Sequence, residues 1–400
     1  MSKDISAETD RRGNRPGSSK SLIISFTSMI AFKPLTMMRT LGAAIAFCAC
    51  AAAQTTPSAS LLALSKQDHT LTIIDPADLR VVATVPVGDD PHEVIASADG
   101  KTAYVSNYGF GAFHTLSVVD LLAHARLASI DLGALRGPHG LDFKQGKVFF
   151  TAEAAKAIGS YDPATNKIDL IIGTGQDRTH MIYVFADGKR IVVTNVNSAT
   201  VTILEKTEGR AGGPPPGMGP PPGGDPGSGG PPTGIGAEMP PGAPPGPPPT
   251  PPGGDWKLTV VPVGRGSEGF DVSPDGKEVW VANAQDGTVS IIELATKKVT
   301  VTLQANVRGA NRLKFTPDGK LVLISPGWAL VVLDAATHKE VKRLAAVHGS
   351  GGIQMQPDGA RAYVACGRDN YVAVIDLKTL EMVGKVKVAS PDGLAWAVRE

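Results

Sequence analysis

A hairpin cassette recurs along the chain at an almost constant interval, and that interval limits the fold more than any other property of the sequence. "ASADGKTAYVSN" (Ala96 to Asn107) returns as "VFADGKRIVVTN" (from Val184), "VSPDGKEVWVAN" (from Val272), "FTPDGKLVLIS" (from Phe315) and "MQPDGARAYVAC" (from Met355), with a degenerate copy, "FKQGKVFFTA", from Phe143. The turn glycines are Gly100, Gly146, Gly188, Gly276, Gly319 and Gly359, separated by 46, 42, 88, 43 and 40 residues. The long interval contains residues 209–254, a 46-residue tract in which 34 residues are Pro or Gly; without it the spacing is 42. A fixed period of this length is the signature of a repeat architecture.

Each copy reads as an apolar strand, an Asp-Gly turn, a second strand of the YVSN kind, a third such as "TVSIIE", and a fourth such as "RVVATVPVG". Asp-Gly between alternating apolar runs predicts a tight hairpin, because Gly accepts the positive φ that the turn demands. Four antiparallel strands in about 40 residues describe one blade of a β-propeller, where radial repetition leaves only short, protected edges. The segment Leu61 to Gly88 supplies second, third and fourth strands without a first, and "PDGLAWAVRE" (Pro391 to Glu400) supplies a first strand and then stops. The two ends complete one another. The expected fold is all-β: a seven-bladed propeller closed by N-terminal strands pairing with the C-terminal strand.

"AYVSN", "IVVTN", "VWVAN" and "AYVAC", after PDGK-like turns and before "VSIIE" and "VAVID", resemble the YVTN-type β-propeller repeat family. The resemblance covers the chain from about Leu61 except the Pro/Gly tract. It implies a seven-bladed propeller, often exported and frequently without an assigned reaction. The third copy departs most, with Gln145 in place of the turn Asp.

The remaining segments read differently. Residues 1–53 are expected to be a leader and signal peptide: Arg39 precedes a short apolar run and small residues at Ala51 and Ala53, which suits cleavage before Gln54 and a periplasmic or secreted product. Translation from Met37 or Met38 would shorten the polar leader. A lipid anchor on Cys48 or Cys50 is the competing reading, against which bulky Phe47 stands; the run is too short to span a membrane. Residues 54–400 are expected to form one domain. Its tract 209–254, within blade four, has little to bury and reads as a disordered surface insert on the face of the Asp-Gly turns. With 39 Lys and Arg against 38 Asp and Glu, no global field recruits nucleic acid or an anionic membrane. After cleavage Cys366 stands alone, so no disulfide framework exists and the thiol is expected to pack. A monomer is expected.

Aligning the first strands by their turns produces a ring of seven positions: His92, His139, His180, Glu268, Asn311, Gly351 and Asp392. By family resemblance these loops surround the central channel. Three of the chain's 8 histidines fall at these positions. His69, His114 and His348 are expected on the same face, whereas His124 and His338 are not. The candidate ligand-binding residues are therefore His92, His139, His180, Glu268, Asn311 and Asp392. Imidazoles in that number make His92, His139 and His180 the candidate metal ligands, with zinc or copper the ions they would take; the alternative is that each polar ring residue satisfies backbone groups around a wet channel. Two further resemblances bear on chemistry. Nitrous oxide reductase holds a copper cluster on axis-facing propeller histidines, but Glu268, Asn311, Gly351 and Asp392 stand where more histidines would be needed. The seven-bladed lactonase group would require a carboxylate, a His and an Arg, for which Glu268, His180 and Arg312 are the candidates.

No Gly-x-Ser-x-Gly elbow, Walker loop, His-Glu-x-x-His or Cys-x-x-Cys-His motif is present. The expectation is a binding or scaffold propeller recognising a small molecule, a metal or a partner protein at the channel mouth. A metal-dependent or lactonase-like enzyme on the same face is the alternative.

Overall fold

Every repeat folds as an antiparallel sheet, and seven such sheets form the propeller ring in the computed structural model, which describes residues 56–207, 256–349 and 351–399. The expected signal segment with Cys48 and Cys50, and the Pro/Gly tract, lie outside the described residues. Inner strands are Pro391–Val398 in blade one, Pro91–Ala96 in blade two, Pro138–Lys144 in blade three and Thr179–Val184 in blade four. Ser267–Val272, Arg312–Phe315 and Ile353–Met355 serve blades five to seven. Closure occurs as expected: Ala59–Ser65 pairs with Pro391–Val398, setting Leu61 opposite Trp396 and Leu62 opposite Ala395. Among the described residues no helix is long and apolar enough to cross a membrane.

Second and third strands are buried on both faces, since each blade is covered by two neighbours. Val279, Trp280, Val281 and Ala282 are all fully inaccessible, whereas the outer strand Lys167–Gly173 alternates exposed and half-buried positions. Blade two breaks the pattern: its outer strand is two short pieces, Ala125–Arg126 and Ile130–Asp131.

The turn chemistry explains the cassette. Asp275 accepts from Ser273 Oγ at 2.7 Å and from the Lys277 amide at 3.1 Å, while Gly276 takes φ 70°. Asp99 and Asp318 repeat the arrangement. Blade three needs no Asp because its loop is two residues shorter: Lys144 pairs with Lys147, and Gln145 and Gly146 both have positive φ, 51° and 77°, as a two-residue hairpin turn requires.

The Asn that ends three of the second strands has a structural task. Asn195 Nδ2 donates to Thr200 Oγ1 at 3.0 Å and to Thr202 Oγ1 at 2.9 Å, and its Oδ1 accepts from Thr179 Oγ1 at 3.0 Å. Asn107 and Asn283 clamp their own third strands in the same way. In blade seven Cys366 takes the position, fully buried, with burial pushing its thiol up to about 11, as expected of a packing cysteine.

Candidate functional site at the channel mouth

Two features of the inner strands draw the ring residues inward. Hydroxyls near the ends of second strands reach across to the next blade: Thr151 Oγ1 donates to the His180 carbonyl at 2.6 Å, and Thr194 Oγ1 to that of Glu268 at 3.0 Å. Glycines after several ring residues let adjacent backbones touch. A Cβ on Gly140 would lie 2.6 Å from the His180 carbonyl oxygen, one on Gly269 2.5 Å from Arg312 Cα, and one on Gly393 2.6 Å from the His92 carbonyl oxygen. No side chain fits there, so the channel narrows.

The ring residues then meet in order. Asp392 Oδ2 lies 3.3 Å from His92 Nδ1, and the His92 and His139 rings meet edge to face at 4.2 Å between centroids. His139 and His180 follow at 3.8 Å. His180 Nδ1 hydrogen-bonds Glu153, and Arg178 joins Glu153 (3.5 Å) to Glu268 (3.1 Å). Asn311 Nδ2 donates to Glu268 at 3.1 Å. Only Gly351 offers no side chain, and beside it a pocket of about 330 Å³ opens, lined by Lys66, His92, Asn311, Arg368, Ser390 and Asp392 among others. Below, the buried Arg312 guanidinium bonds Glu93. Blades six and two stand three steps apart around a ring of seven, so this pair crosses the channel.

Burial governs the protonation states. It lowers His92 to about 4, with Asp392 opposing and Lys66 and Arg312 assisting. It holds His139 well below the ordinary histidine value, helped by neighbouring His180 and His92. Burial also lowers the Arg312 guanidinium, against the pull of Asp392. Burial alone would raise Glu153, but hydrogen bonds from His180 and Tyr108 and the charge of Arg178 outweigh it and hold the group below the usual range as a carboxylate. Tyr108 is raised by burial and by donating to Glu153 at 2.5 Å. Both ring nitrogens of His139 and Nε2 of His180 are buried without a hydrogen-bond partner. An unpaired buried polar group costs about 1–3 kcal/mol, so this stack is expensive to leave as it stands.

The structure brings His92, His139, His180, Glu268, Asn311 and Asp392 together as neighbours. It assigns them unequal parts. His139 and His180 share a metal-compatible cluster with Glu153, their donor atoms all within 4.8 Å of one another. His92 stands outside that cluster, its Nδ1 2.5 Å from Lys66 Nζ. The proposed lactonase set is split: Arg312 serves Glu93, while Glu268 is held by Arg178 and Asn311. His69, His114 and His348 stay at the rim, each beside an Asp (Asp89, Asp131 and Asp369) at 3.1, 2.8 and 2.9 Å.

Lys66, Tyr108 and Glu153 were missed by inspection of first strands alone. All three occupy one register, immediately after the second strands Ala59–Ser65, Thr102–Asn107 and Lys147–Ala152. Aligning the repeats at that position, as well as at the first strand, would have found them.

Fold and site together define a seven-bladed β-propeller with a charged, narrowed channel mouth. No family model and no curated protein matches the chain. Solved structures share the architecture. A functionally unknown protein from Desulfotomaculum acetoxidans aligns with TM-score 0.63 at 12% identity, covering 85% of this chain and 99% of its own. A candidate 6-phosphogluconolactonase from Bacteroides fragilis aligns with TM-score 0.59 at 16% identity, covering 86% and 99%. A dihydro-heme d1 dehydrogenase in complex with DHE aligns with TM-score 0.53 at 15% identity, covering 84% and 74%. Identities this low establish the fold and carry no function.

Proposed function

We propose that the protein is an exported propeller of the YVTN repeat type that binds a small polar molecule bearing an anionic group at the channel mouth. The observation carrying this reading is the pocket beside Gly351, where Lys66 and Arg368 face a cavity of about 330 Å³ walled by Asn311, Ser390 and Asp392. That volume suits a molecule of sugar-acid size. Arg368 supplies a guanidinium for a carboxylate or phosphate, and His92, neutral near pH 7, supplies a polar wall without adding charge. A larger cleft of about 530 Å³ on the Asp-Gly turn face, lined by Pro76, Gln356, Asp358, Arg361 and Trp396 among others, carries one acid and one base where the mouth pocket has four ionisable side chains.

Calorimetric titration with 6-phosphogluconate tests the reading, a probe chosen because two neighbours are described as candidate lactonases of that series. Saturable binding is expected, weakened tenfold or more by Arg368→Ala, since a charge-assisted hydrogen bond contributes about 1.5–3 kcal/mol. Absence of binding to this probe and to gluconate would remove the anionic-ligand reading, and turnover of the lactone would replace binding with hydrolysis. Export is tested by sequencing the N-terminus of the secreted or periplasmic product, expected at Gln54.

A further inference from the structure

Within the ring, His139 and His180 stack out of reach of solvent, and Glu153 closes against His180. Two imidazoles and a carboxylate form the donor set of many transition-metal sites, including catalytic zinc and non-haem iron. Three ring nitrogens here are buried and unpartnered, among them both of His139. The local charge balance also favours a cation, since two carboxylates, Glu153 and Glu268, share the single guanidinium of Arg178. Arg178, the cation nearest Glu153, is already shared with Glu268 at 3.1 Å.

We propose that His139, His180 and Glu153 bind one divalent transition metal ion, zinc or copper, through a ring nitrogen of each histidine and a carboxylate oxygen. This site stands whether or not the pocket above takes an anionic molecule. The geometry needs little adjustment. Donor atoms around a tetrahedral zinc lie about 3.3 Å apart, so donors within 4.8 Å close on an ion by side-chain shifts of less than about 1 Å each. Tyr108, hydrogen-bonded to the other Glu153 oxygen, holds the carboxylate in place as a metal's outer partners commonly do. His92 packs edge to face on His139 and stays outside the donor set.

Titrating the untagged full chain with zinc at neutral pH, beside a copper(II) spectrum by electron paramagnetic resonance, tests this assignment. One equivalent should bind and raise the melting temperature, with hyperfine structure from two nitrogens. Glu153→Gln, which keeps size and a hydrogen-bond acceptor for His180, should lose affinity tenfold or more while its circular dichroism is unchanged; His92→Ala should stay within about twofold. No saturable equivalent in the native protein, or full affinity retained in both Glu153→Gln and His139→Gln, overturns the site. A spectrum with three nitrogens that loses one in His92→Ala overturns the assignment of donors. Failure of 6-phosphogluconate binding leaves every one of these readouts in place, so the two readings fall separately.

Discussion

Buried side chains with more than one hydrogen-bonding atom are where this sequence leaves least room for exchange. Asn195 makes three side-chain bonds, to Thr179, Thr200 and Thr202, and Asn195→Ala breaks all three and leaves the buried Thr202 hydroxyl without its partner, while Thr179 keeps Thr174 and Thr200 keeps Gln176. Chemical denaturation should show a loss of about 2–4 kcal/mol, beyond the average point mutant. Cys366 sets a pH limit of the opposite kind. Its folded value, about 11, lies above the 9.0 of an unperturbed thiol, so the folded state keeps a proton that the unfolded state releases. That contribution is fully present below pH 9 and is lost as pH rises from 9 to 11, by about 3 kcal/mol. Stability of Cys366→Ala followed across that range should fall less steeply than the parent; equal slopes would contradict the assignment. The ring histidines were readable because they share a first-strand register; Glu153 shares a second-strand register with Lys66 and Tyr108, but that register does not tell that it faces His180 until blades three and four are side by side.

At the scale of the strand, the approach of neighbouring backbones decides how narrow the channel is. Gly140→Ala puts a methyl 2.6 Å from the His180 carbonyl oxygen and 2.8 Å from Met181 Cα, both backbone atoms with no room to yield. It should destabilise by about 1–3 kcal/mol and weaken zinc binding. Gly173→Ala meets nothing within 4 Å and serves as the control, expected to be near neutral in thermal melts. The insert separates two strands that are already paired, since Lys206 lies opposite Trp256. Replacing residues 208–255 by a four-residue turn should therefore leave the melting temperature unchanged or slightly raised, because loop closure costs little more for a long loop than for a short one. Hairpin positions were legible from Asp-Gly spacing alone. The split outer strand of blade two was not, because an edge strand that packs on one side carries weak patterning.

Across the whole molecule, seven blades and a clasp between Ala59–Ser65 and Pro391–Val398 convert residues 300 positions apart into neighbours, as Asp392 and His92 show at 3.3 Å. The period gave the blade count because each sheet buries its faces only against the next, so an irregular interval would leave a gap in the ring. What the period could not supply is burial, which separates the open pocket at Gly351 from the enclosed trio in the same ring. Convergence of blades three and four onto one cation, His139 and Glu153 from the first and His180 from the second, is the claim on which the functional account turns. X-ray diffraction from zinc-soaked crystals, recorded on both sides of the zinc absorption edge, addresses it directly. The account predicts one anomalous peak about 2.0–2.2 Å from His139, His180 and Glu153 donor atoms; density confined to the rim histidines His69, His114 or His348 would contradict it.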